Sequence, residues 1–193
     1  MILLGSQSPR RRELLAGLDI DFECVKIECE ETFPDTLQGA EIPLYLSQLK
    51  ADAYHHNLKQ DDVLITADTI VWCDNRMLGK PHDKAEARDM LRNLAGKEHE
   101  VITGVCLTTR ETRKAFAVTS KVRFALLTEA EIDYYVEHYK PIDKAGAYGI
   151  QEWIGYIGVE SIVGSYFNVM GLPVQRLYRE LRQLCGDKLR YHR

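Results

Sequence analysis

The chain has 193 residues, 45% of them hydrophobic, with 29 acidic and 25 basic side chains and a net charge of −4. This is length for one large domain or two intimate lobes and apolar content for a real core. The mild acidity gives a long polyanion no electrostatic hold, so a nucleic-acid partner is disfavoured. Cys24, Cys29, Cys73, Cys106 and Cys185 are widely spaced and form no CxxC, which points to neither a disulfide framework nor a zinc site and fits a reducing cytoplasm. Met1 to Ser6 lacks a charged leader region, and no apolar run approaches the ~20 residues of a membrane span, so a cytoplasmic protein without a membrane partner is expected.

In chain order, Ile2 to Leu4 reads as a short buried strand ending at Gly5. Ser6-Gln-Ser-Pro-Arg-Arg-Arg12 then leads into a helix with Ser8 as N-cap and Pro9 in its first turn. Three arginines in that turn oppose the helix dipole unless an anion sits there, so an anion cradle and a plain capped helix read equally well. Phe22 to Val25 reads as a second strand, and the acidic stretch with Glu28, Glu30 and Glu31 reads by default as solvated surface. Glu41 to Tyr54 is an amphipathic helix, with Lys50 beside its apolar face in the position of a snorkelling lysine.

Val63 to Trp72 is a nearly unbroken β-branched run of the kind buried on both faces of a sheet, and Asp68 stands in its middle. A buried carboxylate is costly without a partner, so one is expected. Asp74-Asn75 turns the chain back, and Gly79-Lys80-Pro81 brings a cation near the strand end, a combination that suggests phosphate and metal chemistry. Asp83 to Glu86 and Thr128 to Glu131 each open a helix in capping-box fashion. Between those helices, runs 101–108 and 115–126 read as an antiparallel pair. Asp143-Lys-Ala-Gly-Ala-Tyr-Gly-Ile-Gln151 is a second unusual stretch, glycine-containing with an ion-pair candidate and an amide. Ile154 to Met170 reads as short strands broken by tight turns at Gly155, Gly158 and Gly164. Gly171-Leu-Pro173 introduces a last helix with Leu177, Leu181 and Leu184 inward, and 187–193 reads as a frayed basic tail. Arg11 and Arg12 read as surface, as do the histidines, none of which has metal-ligand spacing.

Together, Ser6-Gln-Ser-Pro-Arg-Arg11, Ala67-Asp-Thr-Ile-Val71 with Gly79-Lys-Pro81, and Asp143 to Gln151 resemble the Maf family of nucleoside triphosphate pyrophosphatases, in order and spacing along the whole chain. The resemblance implies a single Maf-like domain over 1–193: an elongated mixed α/β fold, similar to that of ITPases, with flanking helices and two lobes around a deep cleft. It also implies a divalent cation (Mg²⁺ or Mn²⁺), a homodimer, and hydrolysis of an NTP to NMP and pyrophosphate. Asp68 then matches the proton acceptor, Glu31 an acidic position sharing the metal with it, and Lys80 a catalytic cation. Ser6, Arg10 and Lys50 fall on phosphate-binding positions, while Arg10, Thr69 and Gln151 fall on those tied to substrate choice. Whether Asp68 is a base or chiefly a metal ligand stays open. The combination resembles the dTTP/UTP branch, as opposed to the branch acting on 7-methyl-GTP. Alternatives are another modified or noncanonical NTP, or a nucleotide-binding regulator of septum formation. Gly5, where many members have alanine, and Asn75, where glycine is common, depart from the pattern without touching a proposed site group.

Overall fold

The computed structural model describes residues 1–186 and 189–191. Seven strands form one mixed sheet: β1 (Ile2–Leu4), β2 (Phe22–Cys24), β3 (Val63–Cys73), β4 (Arg76–Leu78), β5 (Glu98–Thr108), β6 (Arg113–Phe124) and β7 (Val159–Val163). Their order is β2-β1-β3-β5-β6-β7, with β4 added to β3. β1 runs parallel to both neighbours, Leu4 pairing with Cys24 on one side and Ile65 on the other, whereas β4 and β7 pair antiparallel. The helices are α1 (Pro9–Ala16), α2 (Glu41–Tyr54), α3 (Lys84–Leu94), α4 (Glu129–Tyr139), α5 (Trp153–Gly158), α6 (Tyr166–Met170) and α7 (Val174–Cys185).

The chain forms two compact units. The first comprises Met1–Asp68, Thr103–Val118 and Gly171–Arg193, of which 187, 188, 192 and 193 lie outside the described residues; the second comprises Thr69–Ile102 and Thr119–Met170. In the first, Leu3, Leu58 and Leu64 pack with Val25, Ile27 and Tyr54. α2 lies very close to its sheet: a Cβ on Gly104 of β5 would stand 2.3 Å from the carbonyl carbon of Pro43. The Thr66 hydroxyl donates to Ser47 O at 2.7 Å and so fixes α2 against β3. Only glycine permits that approach, and its consequence is the placement of Lys50.

The second unit is built around Val71, Leu91, Leu94, Phe124, Ile132, Tyr135 and Tyr148. Its local signals act as expected. Asp74 and Asn75 take left-handed φ values of 51° and 58°, which makes a two-residue hairpin loop whose twist matches the paired strands. Asp83 caps α3 by accepting from Glu86 N at 2.9 Å, and Thr128 and Glu131 complete a capping box on α4.

Several elements differ from expectation. Residues 153–170 form α5, β7 and α6 and not a run of short strands. Gly155 is there for contact, since its Cβ would lie 1.8 Å from Ile150 O, while Gly164 (φ +125°) is the one true turn of the three. On α7, Leu177 and Leu181 are buried but Leu184 is exposed, and Glu180 turns inward with its charge paired to Arg176 at 2.7 Å and to Lys114. The expected basic tail falls partly outside the described residues. Its described part is docked and not frayed: Leu189 is buried and Tyr191 bridges Ile20.

His99 is the clearest reversal of a surface assignment. It lies inward on β5, 2% exposed, edge-on to Phe124 and Tyr148, with Nε2 2.7 Å from the Tyr148 hydroxyl. Burial pulls its pKa from 6.5 to about 4, so the folded protein holds it neutral. The unfolded chain therefore binds this proton more readily, and stability is intact above pH ~6.5 and declines as the pH falls towards 4, by about 3 kcal/mol at most. Urea unfolding at pH 7 and pH 4.5 is expected to show a larger loss for wild type than for His99→Gln; equal losses would mean that His99 does not titrate in this window.

Candidate active site

The first unit holds five of the residues singled out in the sequence. β1 delivers the chain to Gly5, whose N–H donates to Ile65 O at 2.8 Å. A Cβ there would meet Ile27 Cδ1 at 2.3 Å, so the glycine goes with an isoleucine that fills an alanine's place. Ser6 Oγ then accepts from Ser8 N at 3.2 Å, and Ser8 Oγ accepts from Arg11 N at 3.4 Å as the cap of α1. Two amides of the supposed cradle are thus satisfied by the serines themselves. What remains for an anion is the positive end of the helix with Arg10 and Arg12 beside it, and no acidic residue in its first turn.

Lys50 is no snorkelling lysine. It is 8% exposed, and its Nζ stands 2.7 Å from Asp68 Oδ1, 3.3 Å from Glu31 Oε2 and 3.5 Å from Ala67 O. The expected partner of Asp68 is therefore found 18 residues earlier, on α2. Glu31 comes from the loop after β2, so what reads as a solvated acidic stretch contributes one carboxylate to this cluster.

Arg11 is also misplaced by a surface reading. Its Nε donates to Gly171 O at 2.8 Å and its Nη1 to Ala67 O at 2.9 Å, joining the start of the last segment to the peptide just before Asp68. Burial pulls its pKa below the ordinary arginine value, and nearby Asp68 opposes that pull. Nothing in the order of residues signals this, because both partners are backbone carbonyls distant in the chain. Cys29 sits within electrostatic reach of the same charges; burial, then Glu31, pushes its thiol up, so it is a protonated bystander and not a nucleophile.

Among the described residues no three His, Cys, Asp or Glu side chains converge as a metal cage. The cluster does offer two carboxylates already gathered around one positive charge. That donor set fits a hard divalent cation that draws its remaining oxygens from substrate phosphates and water, as Mg²⁺ does, and does not fit a structural zinc.

Thr69, Lys80 and Gln151 belong to the second unit. Gly146 N donates to Gly79 O at 3.0 Å, which ties the Gly79-Lys80-Pro81 segment to the 143–151 loop. Gly146 (φ +67°) also passes so near β3 that its Cβ would lie 2.8 Å from Val71 Cγ2. Two stretches recognised separately are thereby one local structure, with Lys80 exposed on it. Gln151 closes the loop, and its Oε1 is buried without a hydrogen-bond partner among the described residues. An orphaned buried carbonyl typically costs about 1–3 kcal/mol and calls for an explanation.

Residues 1–184 match the family model described as Maf-like protein. The chain is 60% identical over 184 residues to the dTTP/UTP pyrophosphatase of Bacteroides fragilis, covering 95% of each chain. It is 56% identical over 182 residues to the protein so named in Parabacteroides distasonis (94% of each) and 50% identical over 177 residues to that of Flavobacterium psychrophilum (92% and 91%). Among solved structures it resembles a nucleoside-triphosphatase, dITP/XTP pyrophosphatase, from Mycobacterium abscessus, with a TM-score of 0.46 at 16% identity over 96% of this chain and 98% of that one.

The charge cluster is asymmetric, which gives it a testable signature. Lys50→Met leaves Asp68 buried without its ion-pair partner and is expected to cost about 3 kcal/mol of stability at pH 7. Asp68→Asn should cost clearly less, because Lys50 keeps Glu31. Urea midpoints followed by circular dichroism decide between them, and equal losses would show that the pair is not the coupled unit described.

Proposed function

This chain belongs to the Maf family, and on that basis we propose that it is a nucleoside triphosphate pyrophosphatase that hydrolyses dTTP and UTP to the monophosphate and pyrophosphate. The single observation that carries the reading to these residues is the buried Asp68, held at 2.7 Å by Lys50 with Glu31 alongside. In the reaction water attacks the α-phosphorus and the bond from that phosphorus to the α,β-bridging oxygen breaks. Pyrophosphate leaves, and the water's proton passes to a base.

Asp68 is the group we assign to orient that water and take its proton. A carboxylate with one oxygen fixed by Lys50 presents the other in a constant direction, which is what positioning for attack requires. Lys50 and Arg11 hold the peptide and carboxylate of Asp68 still. Arg10, at the positive end of α1 with Ser6 beside it, and Lys80 are the groups we assign to the triphosphate, where they absorb charge gathering on the leaving pyrophosphate. A bound Mg²⁺ or Mn²⁺, held by Asp68 and Glu31 together with phosphate oxygens, would neutralise the phosphates and polarise the α-phosphoryl group.

Base choice falls to Gln151, with Thr69 beside Asp68 in the chain. Thymine and uracil present acceptor, donor, acceptor along their pairing edge, and a carboxamide meets two adjacent positions of that pattern. The orphaned Oε1 supports this, as an acceptor awaiting the N3–H of the base. Five free thiols fit a reducing cytoplasm, and the family resemblance favours a homodimer.

Pyrophosphate release from dTTP, UTP, CTP, dATP, GTP and 7-methyl-GTP, with Mg²⁺, Mn²⁺ or EDTA, tests the proposal. Metal-dependent release confined to dTTP and UTP is expected. Release from another nucleotide would keep the chemistry and overturn the base assignment, and none at all would favour a nucleotide-binding regulator. Asp68→Asn should lower kcat on the order of a thousandfold without unfolding the protein, within the usual range for a proton-transfer group. A folded Asp68→Asn protein with wild-type turnover would remove Asp68 from catalysis.

A further inference from the structure

A carboxamide reads a base only if the backbone that presents it is held in one place, and the second unit contains a device that does this for residue 151. Tyr135, on α4, is fully buried. Its hydroxyl accepts from Gly149 N at 3.0 Å and donates to Glu152 Oε2. One oxygen thus grips the chain two residues before Gln151 and one residue after it. Glu152 N donates to Gly149 O at 3.0 Å and closes the same turn through the backbone.

The other side of the turn is held by charge. Glu152 Oε1 lies 3.1 Å from the ammonium of Lys144, which is 7% exposed and also pairs with Asp143 at 2.8 Å. There is no slack around these groups. A Cβ at Gly149 would stand 2.9 Å from Glu152 Cδ and 3.1 Å from Lys144 Cε, so no other residue fits there without displacing the pair. The ring of Tyr135 is itself fixed by stacking on Tyr139, with centroids 5.1 Å apart. At the apex of this clamped turn sits Gln151, whose buried Oε1 has no hydrogen-bond partner among the described residues.

We propose that Tyr135, acting through Glu152 and Gly149, is a positioning residue for base selection: it touches no substrate, but it fixes the turn from which Gln151 discriminates thymine and uracil from cytosine. This rests on Gln151 being the base-reading residue. A hydroxyl that only filled the core would affect stability and leave selectivity alone. One that aims Gln151 affects selectivity, and only while Gln151 is present.

The experiment is a double-mutant cycle on the ratio of kcat/KM for dTTP to kcat/KM for CTP, in wild type, Tyr135→Phe, Gln151→Ala and the double variant. Inhibition by tripolyphosphate, which has no base, reports the phosphate site and the folded fraction. Tyr135→Phe is expected to lower the ratio about tenfold, with tripolyphosphate inhibition unchanged and no further effect in the Gln151→Ala background. Glu152→Gln, which keeps the shape and loses the charge, should lower the ratio in the same direction and stands in if Tyr135→Phe does not fold. An unchanged ratio in folded Tyr135→Phe, with a lowered one in Gln151→Ala, would overturn the clamp and leave the base reading intact. An unchanged ratio in Gln151→Ala would overturn the base reading and the clamp with it. A loss from Tyr135→Phe that is equal in both backgrounds would show that Tyr135 acts through some other residue.

Discussion

The first unit is organised around an ion pair that physics does not favour for its own sake. Moving a carboxylate and an ammonium out of water costs about as much as their attraction returns, and such pairs are often replaceable by well-packed apolar side chains. Asp68 and Lys50 are nevertheless among its buried residues, and much of the local structure exists so that they meet. Gly104 gives up a side chain so that α2 can approach the sheet, Thr66 holds α2 by the Ser47 carbonyl, and Arg11 gives up solvent to fix the Ala67 carbonyl. Costly features that converge on one carboxylate are what the chemistry proposed for Asp68 would require, whereas stability alone would be served by leucine.

The parts legible in the sequence are those whose cause is local. β3 follows from a β-branched run, the hairpin after it from two residues tolerant of positive φ, α2 from apolar periodicity, and α3 and α4 from periodicity with caps. The bounds of α2, Glu41–Tyr54, agree with the periodic segment residue for residue. Of the site, Asp68 was legible because a charge inside an apolar run demands a partner, but nothing local said that the partner was Lys50.

What was not legible has a common physical character. Arg11 serves carbonyls 56 and 160 residues away, and a guanidinium bound to backbone leaves no trace in residue identity at the other end. His99 stands between two glutamates on β5, and only the tertiary fold reveals that the alternation turns it inward. Glycine is ambiguous in another way, since the residue that permits a turn at Gly164 also permits two backbones to touch at Gly155. The sequence reads the same in both cases, and for that reason Ile154 to Met170 reads as short strands where the chain forms one strand between two helices.

On the proposed function, phosphate binding and base choice are separate tasks. Arg10 and Lys80, the groups proposed for the triphosphate, would meet phosphates common to all nucleotides and so cannot choose among bases. Choice requires a group whose pairing fails when the wrong base arrives. As the proposed base reader, the buried Oε1 of Gln151 would have this property: thymine or uracil would bring an N3–H to it, whereas cytosine would bring the N3 lone pair, setting acceptor against acceptor. The amide is two-faced, however, and turned by half a revolution it would offer its NH₂ to cytosine instead. Selectivity therefore depends less on having a glutamine than on how firmly its backbone and surroundings hold it one way round. A tyrosine hydroxyl, a glutamate and a buried lysine hold that turn, and a Cβ at residue 149 would stand 2.9 Å from the carboxyl carbon of Glu152.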